Sequence, residues 1–200
     1  MRILLASRNA KKLVELQRIL APALPNAEVI GLGDVAAYDE VPESGATFAE
    51  NALIKAREGY RHTGLPTVAD DSGLAVDALN GMPGVLSARW AGSHGDDDAN
   101  LRLVLDQVGH VPDDRLGAAF LCAVAYVDER GEVVTDGRMP GRLVRAPRGT
   151  NGFGYDPIFV PTGYDRTSAE LSVAEKDAIS HRGQALRALA QELAGRFELS

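Results

Sequence analysis

Two adjacent carboxylates, Asp70 and Asp71, stand between the apolar segments Val68-Ala69 and Leu74-Ala75-Val76, with Ser72 and Gly73 completing the link. Carboxylates at the end of a buried strand are costly unless something uses them, and a hard cation with oxygen ligands is the usual user. Gly73 allows a tight turn just after the acids. Successive side chains of a strand point to opposite faces, so the two acids are expected to do different jobs. The same residues also suit an acidic turn between two strands, because Asp, Ser and Gly are ordinary turn formers.

Three further stretches carry residue types that could do chemistry. Ser7-Arg8-Asn9-Ala10-Lys11-Lys12 lies between an apolar segment and a helical pattern. A strand, a short polar loop and a helix N-terminus together offer N–H groups and a positive dipole end to phosphate, and Lys12 adds a point charge. The loop is neither a dinucleotide fingerprint nor a Walker A sequence, and Ser and Asn are equally good helix caps. In Gly152-Phe153-Gly154-Tyr155-Asp156-Pro157 the glycines let backbone approach a ligand, and an aromatic ring can stack on a base. A glycine-rich turn with its aromatics packed as core fits as well. Lys176 and Ser180 are spaced to share a helix face, and His181 and Arg182 stand just before Gly183, which is expected to kink or break that helix. There is no His or Cys cluster of the kind that holds zinc.

The elements that must position these groups follow from periodicity. Ile3 to Ala6 reads as a buried strand, and Leu13, Leu16, Ile19 and Leu20 form one helix face closed by Pro22 and Pro25. Glu28-Val29-Ile30 is a second strand. Thr47-Phe48-Ala49-Glu50 has the capping-box pattern, with helix continuing to His62, so Glu50 is a candidate cap as well as a candidate ligand. Asp96-Asp97-Asp98 precedes Leu101, Val104 and Leu105 and suits a helix start better than a metal site, since acids complement the dipole there. Residues 118–128 and 132–139 read as a hairpin, Arg142-Leu143-Val144 as a further strand, and Ile158-Phe159-Val160 as the next. Ser172 to Glu175 is another capping box.

The chain of 200 residues fits one domain or one domain with two lobes. A formal net charge of −7 argues against a sequence-neutral grip on a nucleic-acid polymer, but leaves room for a locally basic pocket that takes a mononucleotide. The single Cys122 lies in an apolar run and reads as a small buried side chain in a reducing, cytoplasmic setting. No apolar run approaches membrane-spanning length, and Met1 to Ala6 is too short for a signal peptide.

Taken together, the chain resembles the RdgB-type inosine triphosphate pyrophosphatase family, which clears deaminated purine nucleotides. The resemblance rests on Ser7 to Lys12, Thr47-Phe48-Ala49-Glu50-Asn51-Ala52, Ala69 to Leu74, Pro83-Gly84 with Ser87-Ala88-Arg89, Gly152 to Pro157, and Ser180-His181-Arg182. It implies an α/β fold over residues 1–200, with two lobes on a mixed, twisted β-sheet flanked by helices and an active-site cleft between the lobes. It also implies magnesium dependence and a homodimer. Asp71 resembles the family's proton acceptor and magnesium ligand, and Ser72 would touch substrate. Ser7, Arg8, Asn9, Ala10, Lys11 and Lys12 would hold the triphosphate. Phe153, Gly154, Tyr155, Asp156, Lys176, His181 and Arg182 would contact base and ribose. The family's acidic pair ahead of the Thr-Phe segment is broken here, with Pro42 then Glu43, so Glu43 is expected as the second metal ligand and Glu40 as the next choice.

The reaction implied is hydrolysis of inosine, deoxyinosine or xanthosine triphosphate to monophosphate and pyrophosphate. Arg182 or His181 would donate to the purine 6-oxo group, and a 6-amino group would set donor against donor there. Guanine keeps the 6-oxo group, so its rejection must lie at the 2-position. The alternatives are a Maf-type nucleotide pyrophosphatase of similar architecture and a non-catalytic nucleotide sensor.

Overall fold

A computed structural model describes residues 1–39 and 41–198. The strands are β1 (Arg2–Leu5), β2 (Glu28–Ile30), β3 (Thr67–Val76), β4 (Gly117–Asp128), β5 (Gly131–Leu143) and β6 (Phe159–Pro161). The helices are α1 (Ala10–Leu20), α2 (Phe48–Thr63), α3 (Asp97–Gln107), α4 (Val173–Ile179) and α5 (His181–Glu198). The sheet order is β2-β1-β3-β4-β5-β6, with β1 parallel to β2 and β3, and β5 antiparallel to β6. The fold is therefore α/β with a mixed sheet flanked by helices. The chain divides into two compact units, one of residues 1–71, 122–137 and 182–200, the other of residues 72–121 and 138–181.

In the first unit β1, β3 and β4 are buried on both faces, and the side-chain period of two sorts their residues between two cores. Ile3, Leu5, Val68, Cys122, Val124 and Tyr126 face Leu16 and Leu20 of α1 and Leu186, Leu189 and Leu193 of α5. Ala69, Ala123, Ala125 and Val127 face Ala52 and Ala56 of α2, where small side chains on both surfaces let the helix lie close. Asp70 therefore follows Val68 toward α1 and α5, and Asp71 follows Ala69 toward α2. The second unit has its own core, in which Leu74 and Val76 of β3 pack with Leu101, Val104, Phe120, Ile158 and Phe159.

Three local expectations need correction. Gly73 does not turn the chain, because β3 runs straight through the acids from Thr67 to Val76. The glycine is required by close approach instead: a Cβ there would lie 2.3 Å from Ser87 Oγ and 2.7 Å from the Gly84 carbonyl. Arg142-Leu143 is the end of β5 and not a separate strand, since Pro140 sits in β5 with only its carbonyl engaged, accepting from Thr162 N–H at 2.9 Å. Ser180, not Gly183, breaks the C-terminal helical stretch: it is extended (φ −61°, ψ 140°) between α4 and α5, and Gly183 lies inside α5.

Candidate active site

Asp70 is buried, with its side chain 1% exposed, and is bonded on the α1/α5 side of β3. Its Oδ2 accepts from Lys12 Nζ at 2.6 Å and from Arg182 Nε at 3.3 Å, while its buried Oδ1 has no partner among the described residues. Burial pushes this carboxyl up, but the Lys12 and Arg182 charges outweigh that and hold it well below the usual carboxylate range. Arg182 is in turn spread over α1, donating to the Lys12 carbonyl at 3.3 Å and pairing with Glu15. Its guanidinium is thus committed to Asp70, Glu15 and the α1 backbone. A fork of donors on a helix that packs against β3 is well suited to a buried carboxylate.

Asp71 looks the other way and meets α2. Asn51 Nδ2 donates to Asp71 Oδ2 at 3.0 Å, and Asn51 Oδ1 accepts from Gly45 N–H at 2.8 Å. Both ends of this fully buried amide are used, which fixes the carboxylate's orientation. One turn further along, Lys55 Nζ lies 2.6 Å from Glu43 Oε1 and 3.8 Å from Asp71 Oδ1. Burial disfavours its ammonium, yet Asp71 and Glu43 more than compensate and raise its pKa above the ordinary lysine value. Lys55 thus sets an ammonium beside both carboxylates expected to hold a metal. Glu40 lies outside the described residues. Among the described residues no three His, Cys, Asp or Glu side chains group for a metal.

The loop before α1 is exposed. Asn9 Oδ1 caps the helix, accepting from Lys11 N–H at 2.9 Å and Lys12 N–H at 3.4 Å, and Ser7 Oγ accepts from Asn9 N–H at 3.2 Å. The capping and the phosphate expectations for Asn9 are compatible, because the cap uses only its carbonyl oxygen. Arg8 and Lys11 are exposed, Ala10 opens the helix, and Ser72 follows Asp71 on β3, half-buried. Glu50 is a cap: its Oε2 accepts from Ala46 and Thr47 N–H at 2.6 and 3.2 Å.

In the second unit Phe153 is 72% exposed, held on a loop whose flanking Gly152 and Gly154 have φ of +79° and +59°. Asp156 accepts from the Phe153 N–H at 2.9 Å and pairs with Lys176, whose ammonium stands 5.5 Å from the Phe153 ring centre. One ring face therefore has a cation over it. Tyr155 follows the other reading of this loop, a ring packed as core. It is 4% exposed and donates to the Ser87 carbonyl at 2.8 Å, so its apolar body belongs to the core. The His181 ring stacks on Phe120 at 5.1 Å between centres.

Sequence reasoning missed Asn51, Lys55 and Glu15. The first two are four residues apart on α2, spacing that puts both on one helix face, and a buried Asn beside Ala52 and Ala56 is the readable signal. Glu15 gave none, since a single acid on an amphipathic helix looks solvated.

Residues 3–192 match the family model described as Ham1 family. The chain is 63% identical over 191 residues to the dITP/XTP pyrophosphatase of Mycobacteroides abscessus, covering 94% of this chain and 93% of that protein. It is 60% identical over 201 residues to the dITP/XTP pyrophosphatase of Corynebacterium glutamicum, covering 97% of each. The solved structure of a HAM1 protein from Coxiella burnetii superposes with a TM-score of 0.90 at 43% identity, over 98% of this chain and 99% of that one.

Proposed function

The chain belongs to the Ham1 family, and from that premise we propose that it hydrolyses deaminated purine nucleoside triphosphates, the inosine, deoxyinosine and xanthosine forms, to monophosphate and pyrophosphate. The observation that carries the mechanism is the division of labour between Asp70 and Asp71 on opposite faces of β3. The family match sets aside the Maf-type alternative, and the oriented Asp71 speaks against a mere sensor.

Asp71 takes the proton of the attacking water. A general base must be held in place, and Asn51 holds it. Lys12 donates to Asp70 with one N–H and has two more for phosphate, and the loop from Ser7 to Lys11 adds donors beside the α1 N-terminus. Lys55 keeps positive charge beside both Glu43 and Asp71. Magnesium suits the two carboxylates: Asp71 and Glu43 would hold it, and when bound it would offset charge on the departing pyrophosphate. Phe153 offers a ring for the purine, with Lys176 beside it as a donor to a 6-oxo group; a 6-amino group would bring donor to donor.

Purified enzyme given inosine triphosphate should release monophosphate and pyrophosphate in equal amounts, with no diphosphate accumulating. Orthophosphate with diphosphate would overturn attack at the α-phosphorus. Chelator should abolish the activity and magnesium restore it, and Glu43→Ala should raise the magnesium concentration needed; full activity after exhaustive chelation removes the metal role. Among the described residues no helix is long and apolar enough to cross a membrane. We place the enzyme in the cytoplasm as a homodimer by the same likeness; light scattering on the purified protein at micromolar concentration should give twice the 21.2 kDa chain mass, and a single chain mass would refute the dimer.

A further inference from the structure

The three acids that open α3 have no part in the hydrolysis described above, yet they are not equivalent. Asp96 is the cap, accepting from Ala99 N–H at 3.1 Å. Asp98 is exposed and lies 3.8 Å from Arg102, one turn along the helix. Asp97 does neither. Its Oδ2 accepts the N–H of Gly154 at 2.8 Å, reaching the apex of the glycine-rich loop.

That apex is where order is hardest to keep. Phe153 is largely exposed and sits between two glycines in the left-handed region, so little in its own packing fixes the ring. The first half of the loop is tied elsewhere: Thr150 and Asn151 N–H donate to the Ala169 carbonyl at 3.2 and 3.0 Å, and Asn151 Nδ2 to the Leu171 carbonyl at 3.0 Å. At the apex Asp156 takes the Phe153 N–H and pairs with Lys176 of α4, which ties the N-terminal side of the apex. The bond from Gly154 to Asp97 ties the other side of Phe153 to a second element, α3. The anchor is firm: α3 buries Leu101 and Val104, and Asn100 Oδ1 accepts from Ala91 N–H at 2.7 Å. A charged acceptor makes this one of the stronger classes of hydrogen bond.

We propose that Asp97 is a positioning residue for purine recognition: by holding the Gly154 N–H it fixes the Phe153 ring in the attitude that receives the base. The role of the ring rests on the nucleotide function proposed above; the bond itself does not. A ring ordered before binding saves the ordering cost at binding, so the effect belongs in affinity and not in the chemical step.

The test compares Asp97→Ala, Asp97→Asn and, as control, Asp98→Ala. Asp97→Ala should raise KM for inosine triphosphate about tenfold with kcat little changed, the size expected for one charge-assisted bond. Asp97→Asn, which keeps an acceptor oxygen, should recover most of the loss, and Asp98→Ala should match wild type. Inhibition by inosine should weaken in Asp97→Ala while inhibition by inorganic tripolyphosphate does not. Amide hydrogen exchange of residues 152–155 in the substrate-free protein should accelerate in Asp97→Ala. Unchanged exchange overturns the bond. Faster exchange with unchanged KM, or equal weakening of inosine and tripolyphosphate inhibition, overturns the positioning role. Wild-type enzyme that fails to turn over inosine triphosphate defeats the nucleotide function and the platform with it, while the exchange result still decides whether Asp97 holds the loop.

Discussion

Asp71→Asn should lower single-turnover hydrolysis of inosine triphosphate by about 10²–10⁴-fold, the range for loss of a general base. Nucleotide binding should fall far less. The substitution keeps the size of the side chain and one acceptor oxygen, which Asn51 Nδ2 can still reach from its present 3.0 Å. Lys55 keeps its close partner Glu43 at 2.6 Å, so the second carboxylate continues to hold that cation. Lys12, the Ser7 to Lys11 loop and Phe153 are untouched. What is lost is the anion proposed to accept the proton, together with one oxygen donor of the proposed metal pair. The measurement is single-turnover hydrolysis at saturating magnesium beside equilibrium binding of a non-hydrolysable analogue. Near wild-type turnover would remove Asp71 as the base, and an equal collapse of binding and turnover would make it a ligand or a structural group alone.

The strand pattern was the most legible part of this chain. β2 lies where Glu28-Val29-Ile30 predicts it, and Thr47 with Glu50 forms the capping box that its spacing announces. Asp96 caps α3, as acids before an apolar helical pattern should. These features are local, and their physical causes lie within a few residues of each other in sequence. The alternation argument for Asp70 and Asp71 was also sound, because it needs only that the stretch be extended. The turn expected at Gly73 failed because the reason for the glycine lies with Ser87 and Gly84, whose approach no local pattern reveals.

The same distinction separates the site residues. Phe153 is exposed and Tyr155 is buried, although both alternate with glycine in one short loop. Composition cannot tell which ring is exposed and which is core. The partners of Arg182, Asp70 and Glu15, stand more than a hundred residues away in sequence, so no local pattern announces them. Asn51 lies inside a motif whose capping half is its legible part, and Lys55 follows one turn along the same helix. Pairings made by tertiary structure decide the role of each polar group, and only the types of group were visible beforehand.

Asp70→Ala should show the opposite signature to Asp71→Asn: a loss of stability larger than any direct loss of chemistry. Asp70 Oδ2 is the shared acceptor for Lys12 and Arg182, so truncation leaves two cations facing a buried gap. Removing one partner from a buried ion pair typically costs about 3–5 kcal/mol, a large share of the roughly 5–15 kcal/mol by which domains are stable. Glu15 still pairs with Arg182 and Lys12 is a quarter exposed, which argues for the lower end. Asp70→Asn keeps an acceptor and should lose less in both stability and turnover. The pH dependence has a definite sign. A carboxyl held below its unfolded value contributes stability that is present above the ordinary carboxylate pKa and is lost as pH falls through the depressed folded value. The wild type should therefore lose stability on acidification below about pH 4, where unfolded Asp takes up its proton, and Asp70→Ala should follow a flatter curve there. Urea midpoints of both variants at neutral and acid pH, measured with single-turnover rates, decide the matter. A wild-type midpoint with abolished turnover in Asp70→Ala would transfer the chemical role from Asp71 to Asp70. A lowered midpoint with surviving turnover would make Asp70 the strut that holds α1 and α5 to β3, so that Lys12 is in place when phosphate arrives.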